Sequence, residues 1–228
     1  MRVRHAIQFT VSLAVNQYGT TDMRGLEQIP WLYDGFMVLA DALGLRRWRT
    51  RLVSGARGRI LEVGCGTGRN LPLYPQAAEV IGVEPDFLAL RSARRRAPDV
   101  PLVVARAEAL PFVEGQFDAV VSGLVFCSVQ DPPVALGEVR RVLRADGELR
   151  MLEHVRHTRP MLARMQDRVQ PAWTCVAGGC HPNRDTEASV EAAGFAIDPQ
   201  DRVARGVMRR FTARPVAEAK MAGDEAQG

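Results

Sequence analysis

From Arg59 onward, short β-branched and apolar runs alternate with longer amphipathic stretches. Arg59–Val63, Val80–Val83, Leu102–Val104 and Phe117–Val121 read as strands bounded by turn residues. Glu148–Glu153 follows the Asp146-Gly147 turn as a fifth. Phe195–Ile197 and Val207–Thr212 read as two late strands. Between the strands the apolar period becomes helical. A short helix is expected after the glycine turn at residues 64–68. Asp86 caps a helix through Leu90 to Arg96 that Pro98 ends, and Asp131 caps another with Pro132 at its first position. That helix carries Val134, Leu136, Val139, Val142 and Leu143. Further helices are expected through Met165 and Val169, up to a Gly178-Gly179 break, and over Thr186–Ala193. Strands alternating with helices imply right-handed βαβ units and a parallel sheet covered on both faces. Before Arg59, Trp31, Tyr33, Phe36, Met37, Leu39, Leu43 and Leu45 mark an added helical stretch.

The boundaries expected are an N-terminal arm over 1–22, a helical lid over 23–56, one α/β domain over 57–216 and a disordered polar tail over 217–228. A length of 228 residues, with 46% hydrophobic and 25% charged, suits a soluble chain with a sizeable core and excludes a polytopic membrane protein. Aromatics at 6% argue against a base-stacking surface. Lys220 is the only lysine among 30 basic residues, which reads as genome composition bias, so the net charge of +4 argues only weakly for a nucleic-acid partner. Arg46, Arg47, Arg49 and Arg51, then Arg94–Arg96, then Arg140, Arg141 and Arg144 read as solvated helix faces, with an acidic membrane surface or RNA as the alternatives. Cys65, Cys127, Cys175 and Cys180 form no disulfide framework and no metal-binding pair, so reduced thiols, a cytoplasmic location and no metal are expected. The basic Met1–His5 and the interrupted apolar run Ala6–Val15 leave three readings open: a disordered arm, a membrane-touching segment, or an extension upstream of a start at Met23.

The chemistry concentrates in Leu61-Glu-Val-Gly-Cys-Gly-Thr-Gly68, where a strand runs into a turn. Glycines there let a ligand lie against main-chain atoms, beyond the carboxyl ends of the strands. Glu84, at the end of the second strand, can accept both hydroxyls of a ribose. The pair suits a dinucleotide or S-adenosylmethionine. The spacing is GxGxG, with Arg69 where a dinucleotide site needs its third glycine. Glu62 beside the loop would repel a pyrophosphate and favour the ammonium of a methionine moiety.

With IGVEPD, ARAEALPF, FDAVVSGLVFCSV and EVRRVLRADGEL, the loop strongly resembles class I S-adenosylmethionine-dependent methyltransferases. The resemblance implies a Rossmann-like, doubly wound, seven-stranded, mostly parallel sheet with its last strand antiparallel, and S-adenosyl-L-methionine as cofactor. By position, Gly64, Cys65, Gly66 and Gly68 would line the methionine and ribose, and Glu62 would hold the amine through the loop or a water. Glu84 with Pro85 would take the ribose, Ala107 and Glu108 would flank the adenine, and Gly123 and Leu124 would back the methionine. Arg106, where relatives often carry Asp, puts a side-chain contact to adenine in doubt. Ile29–Asp34, Leu152–Val155, Gln170–Trp173 and Gly179-Cys-His resemble the narrower methyltransferase-like group that includes alkyl-thiol methyltransferases, membrane-associated in animals.

His154, at the carboxyl end of the fifth strand, is the candidate catalytic base, against the alternative of a structural histidine; His157 and His181 are weaker candidates. Tyr33 and Asp34 are expected near the ligand, on a lid. Asp131-Pro-Pro-Val resembles an amino-methylating signature, but residues 122–130 separate it from the strand, so the helix-start reading is preferred. The sequence thus points to a methyltransferase acting on a small apolar acceptor: a thiol, a quinone-like ring or a lipid head group. No nucleic-acid partner is expected, and peripheral membrane contact is left open. The alternatives are an NAD(P)-binding oxidoreductase or a noncatalytic S-adenosylmethionine-binding protein. Acceptor identity and oligomeric state are not legible.

Overall fold

Five short runs become neighbouring parallel strands, the central Arg59–Val63 and Phe117–Gly123 being almost wholly buried and so covered on both faces. The computed structural model describes residues 30–176 and 180–216. β1 (Arg59–Val63) lies between β2 (Glu79–Val83) and β4 (Phe117–Gly123), with β3 (Leu102–Val103) outside β2 and β5 (Leu143–His154) outside β4. β8 (Met208–Pro215) runs antiparallel to β5 and carries β6 (Phe195–Ile197) beyond it. The path β3-β2-β1-β4-β5-β8-β6 is the expected seven-stranded sheet. A short strand absent from the sequence reading, β7 (Val203–Arg205), pairs off this path with β8. Strand order reverses between β1 and β4, which opens a crevice at their carboxyl ends.

The core is split by the sheet. On one face Leu61, Val63, Val120, Leu149 and Met151 pack on Leu136, Val139 and Val142 of α4 (Pro132–Val142). On the other, Ile60, Ala119, Val121 and Leu152 pack on α2 (Arg46–Val53) and α3 (Phe87–Arg96). Arg150 fastens α2 to this face: its Nε donates to the Leu52 carbonyl at 2.7 Å and its Nη1 to Glu148 at 3.0 Å. Asp86 and Asp131 cap α3 and α4, accepting from Leu88 N (2.7 Å) and Val134 N (3.2 Å). The Asp131-Pro-Pro segment is therefore a helix start. α5 (Pro160–Val176) and α6 (Thr186–Ala192) complete the order.

Three local expectations change. The helix after the glycine loop is only a 3₁₀ turn, Leu71–Leu73: Pro72 lacks an N–H, and Pro75 forces Tyr74 to extended backbone. The Asp146-Gly147 turn lies within β5, where the register shifts between Phe117 and Ala119. The N-terminal stretch is two helices, α1 (Pro30–Ala40) and α2, joined by a π segment at Asp41–Leu45 and broken at Gly44 with φ of 118°. The expectations for residues 1–22, for Gly178-Gly179 and for the tail over 217–228 lie outside the described residues, as do those for the side chains of Trp31, Tyr33, Phe36 and Cys175.

Candidate active site

The glycine loop leaves β1 at the crevice, and its three glycines have different work. Gly64, Gly66 and Gly68 all have positive φ (65°, 52° and 79°). A Cβ on Gly64 would lie 2.5 Å from Val125, and one on Gly68 would lie 2.8 Å from the Ala93 backbone. A Cβ on Gly66 would meet nothing within 4 Å, so that position opens onto free space. Gly66 N donates to Glu84 Oε2 and Asp86 N to Oε1, both at 3.0 Å. Burial pushes the Glu84 carboxyl up, and these two amides pull it back. Pro85 beside it is exposed. Cys65 turns into the core against the Gly82 position, where burial and then the charges of Glu62 and Glu84 push its thiol well up.

Glu62 is 1% exposed, beneath the loop. Asn70 Nδ2 donates to its Oε1 at 3.0 Å, and Oε2 has no hydrogen-bond partner. The Tyr74 hydroxyl faces it without a well-formed hydrogen bond. Burial raises its carboxyl to about 7, against Tyr74, Asn70 and the Arg49 charge. Asn70 also abuts Gly123: a Cβ there would lie 3.0 Å from Asn70 Nδ2. Leu124 turns the chain with φ of 63°, and its N–H donates to the Leu152 carbonyl at 2.7 Å. The following loop is tied down by Glu153, whose Oε1 accepts from Ser122 Oγ and Val125 N at 3.1 Å and Phe126 N at 3.2 Å.

Ala107, expected beside the adenine, is buried and packs in the α4-side core. The Glu108 side chain accepts from Gln130 N (3.0 Å) and Asp131 N (3.3 Å), so its carboxylate is engaged with the start of α4. Arg106 pairs with Glu108 at 3.5 Å.

Strand register puts His154 on the same sheet face as Leu152, Val121 and Ile60, hence with Glu62 and Gly123 under α2. It is half-buried and makes no hydrogen bond among the described residues; burial holds its imidazole below 6.5. His157 is already used, its Nδ1 accepting from Arg159 N at 2.9 Å.

Asp34 reaches the loop from α1. It accepts from Thr67 Oγ1 (2.7 Å), Arg69 Nη1 (3.1 Å) and Arg96 Nη2 (3.0 Å). Burial raises its carboxyl, but these donors outweigh it and hold the group below the usual range. Arg69 also grips Asp41 with Nη2 at 2.7 Å and Nε at 3.1 Å. The residue that replaces a third glycine is thus the anchor of the N-terminal helices. Nor are the arginine clusters uniformly solvated. Arg49 is 4% exposed, Arg96 pairs with Asp34 and the Thr67 carbonyl, and Arg141 pairs with Glu138. Neighbours in the last two clusters are engaged too: Arg94 donates to the Pro98 and Val100 carbonyls, Arg140 to the Val216 carbonyl, and Arg144 pairs with Asp118 and Asp146. Arg49, Asn70 and Glu153 escaped sequence reasoning; only Asn70, directly after the loop, offered a positional signal.

Residues 61–151 match the family described as "Methyltransferase domain". The chain is 38% identical over 160 residues to human Thiol S-methyltransferase TMT1B, covering 66% of each protein. It is 37% identical over 114 residues to the demethylmenaquinone methyltransferase of Renibacterium salmoninarum, covering 47% of this chain and 48% of that protein. A solved S-adenosylmethionine-dependent methyltransferase from Thermotoga maritima, titled a possible histamine N-methyltransferase, superposes with a TM-score of 0.65 at 22% identity, over 83% of this chain and 97% of that one. The chain belongs to the class I S-adenosylmethionine-dependent methyltransferases. It spans less than two thirds of the length of the curated relatives named above.

The family implies S-adenosyl-L-methionine, and the residues fit it. Glu62 has an unpartnered buried oxygen, Gly66 leaves open space at the loop, and Glu84 keeps lone pairs at the β2 end. A dinucleotide does not fit: no α-helix N-terminus follows the loop to hold a pyrophosphate, and Asp34 stands on it instead.

Proposed function

We propose that this protein transfers a methyl group from S-adenosylmethionine to a small apolar acceptor, with a thiol as the leading candidate and a quinone-like ring or a lipid head group as the others. The carrying observation is the open backbone at Gly66 tied to the Glu84 carboxylate. In this reading Gly64, Gly66 and Gly68 form the floor, Glu84 takes the ribose hydroxyls, the Glu108 backbone reads the adenine edge, and Glu62 acts on the amine from below. Similarity to a thiol methyltransferase and a demethylmenaquinone methyltransferase supports the acceptor class.

When bound, the donor supplies an electrophilic methyl on a sulfonium. The protein positions the acceptor in line with the sulfur–methyl bond, at about 3–3.5 Å, and excludes water. His154, neutral at pH 7, takes the thiol proton. The thiolate sulfur forms the new bond to carbon, the old sulfur–carbon bond breaks, and the products are a thioether and S-adenosylhomocysteine. We place the protein in the cytoplasm, in peripheral contact with a membrane; no helix among the described residues is long and apolar enough to cross one.

Calorimetry with S-adenosylhomocysteine and with NAD tests the cofactor, and labelled donor against thiols, phenols, quinones and phospholipids tests the acceptor. Saturable S-adenosylhomocysteine binding without NAD binding, and label on a thiol, is the expected result. No binding of the homocysteine nucleoside to folded protein would overturn the reading.

A further inference from the structure

We propose that the N-terminal helices complete the donor site by acting on Glu62, with Arg49 and Asn70 as positioning residues that fix this carboxylate for the donor's ammonium group. The proposal rests on the methyltransferase reading and deepens it.

A buried polar chain runs from the lid to the sheet. Asp34 and Asp41 are held by Arg69 of the glycine loop. Asp41 pairs with Arg49 of α2 at 3.4 Å. Arg49 Nη1 donates to Asn70 Oδ1 at 2.9 Å, and its Nη2 to the Met37 sulfur at 3.4 Å. Asn70 Nδ2 donates to Glu62 Oε1 at 3.0 Å, and there the chain ends, with Oε2 unpartnered. Arg49, Asn70 and Glu62 are 4%, 3% and 1% exposed. A buried guanidinium that reaches a buried carboxylate through one amide fixes its rotamer and favours its ionised form. The Gly123 position has no Cβ, which leaves room for that amide. Only the Tyr74 hydroxyl faces that free oxygen, without a well-formed bond, so the carboxylate keeps capacity to act on a cation bound at the loop above it.

The groups facing Glu62 are Arg49 from α2, Asn70 and Tyr74 from the segment after the loop, and the neutral Cys65 thiol within it. Of these only Arg49 is cationic. Because burial brings the Glu62 carboxyl to about 7, the ionised form that binds an ammonium fills in as pH rises through neutrality. Donor affinity should therefore strengthen from pH 6 to about 7 and level off above, until the donor's own amine titrates.

The test is S-adenosylhomocysteine calorimetry on the full chain between pH 6 and 8.5, with donor KM and kcat measured alongside. Arg49→Met should move the acid-side inflection up by a pH unit or more and weaken Kd at pH 7 about tenfold, with a larger effect on donor KM than on kcat. Arg49→Lys should recover part of the shift, and Glu62→Gln should remove the acid-side inflection. If Arg49→Met does not fold, Asn70→Ala carries the same expectation. A pH-independent wild type, or folded variants that keep its profile, would overturn this inference while leaving the methyltransferase reading intact. Wild type that binds no S-adenosylhomocysteine at any pH would sink both.

Discussion

At the residue scale, the three loop glycines separate folding from binding. Gly68→Ala places a methyl against backbone at a positive φ and should cost about 2–4 kcal/mol of stability. Gly66→Ala meets no protein atom and should cost only about 1–2 kcal/mol, yet weaken S-adenosylhomocysteine binding at least tenfold, because its methyl enters the space read as the donor's. Thermal melts and calorimetry on the two variants would check this; equal effects on both properties would contradict it. His154 permits a pH test. Its imidazole is neutral at pH 7 and can accept a proton from a thiol whose ordinary pKa is about 8.5. His154→Gln should lose about tenfold or more in kcat/KM at pH 7, and the deficit should shrink above pH 9, where the thiolate forms unaided. A deficit that stays within twofold across that range removes His154 from the chemistry.

At the element scale, Arg150 is the cross-brace that fixes α2 to the sheet. Arg150→Met leaves the Leu52 carbonyl without this donor and Glu148 with Arg214 alone, and should lower stability by about 2–4 kcal/mol, or about 5–12 °C in Tm. A melt unchanged within error would mean that Leu52, Val53 and the Arg49 contacts hold α2 without this brace. This brace also shows where legibility stopped. β1 could be read to the residue and α3 from its cap, because both depend on local pattern: an apolar run, an Asp before a helix, a proline after it. The same logic failed at Leu71–Leu73, where a short helix is expected but Pro72 within the segment and Pro75 after it allow only a turn. β7 is only Val203–Arg205 and exists because β8 offers it an edge, a long-range reason that no short window carries. The loop, Glu84 and the capping aspartates of the site were likewise local signals. Arg49 and Arg150 look like any surface arginine until the acceptors supplied by distant elements are in place.

At the scale of the whole molecule, the side of the lid away from the core raises the question of how an apolar acceptor arrives. Val38, Leu39 and Leu43 are 60%, 59% and 80% exposed, on the helices that Arg69 anchors over the donor loop. Arg46, Arg47 and Arg51 are exposed within a few residues of them, and the chain carries a net +4. Apolar side chains beside basic ones suit an anionic bilayer surface, where each arginine contributes about 1 kcal/mol and the apolar groups enter the headgroup boundary. A quinone-like or alkyl-thiol acceptor concentrates in such a phase, so docking there would bring the site to its substrate. The full chain should co-sediment with vesicles containing anionic phospholipid, far less with purely zwitterionic ones, and release should rise with salt. Replacing Arg46 and Arg47 together with Glu should weaken vesicle binding at least tenfold, and Leu43→Asp should weaken it even at low salt. Binding that ignores lipid charge and both substitutions would show that these exposed residues do not form the docking face.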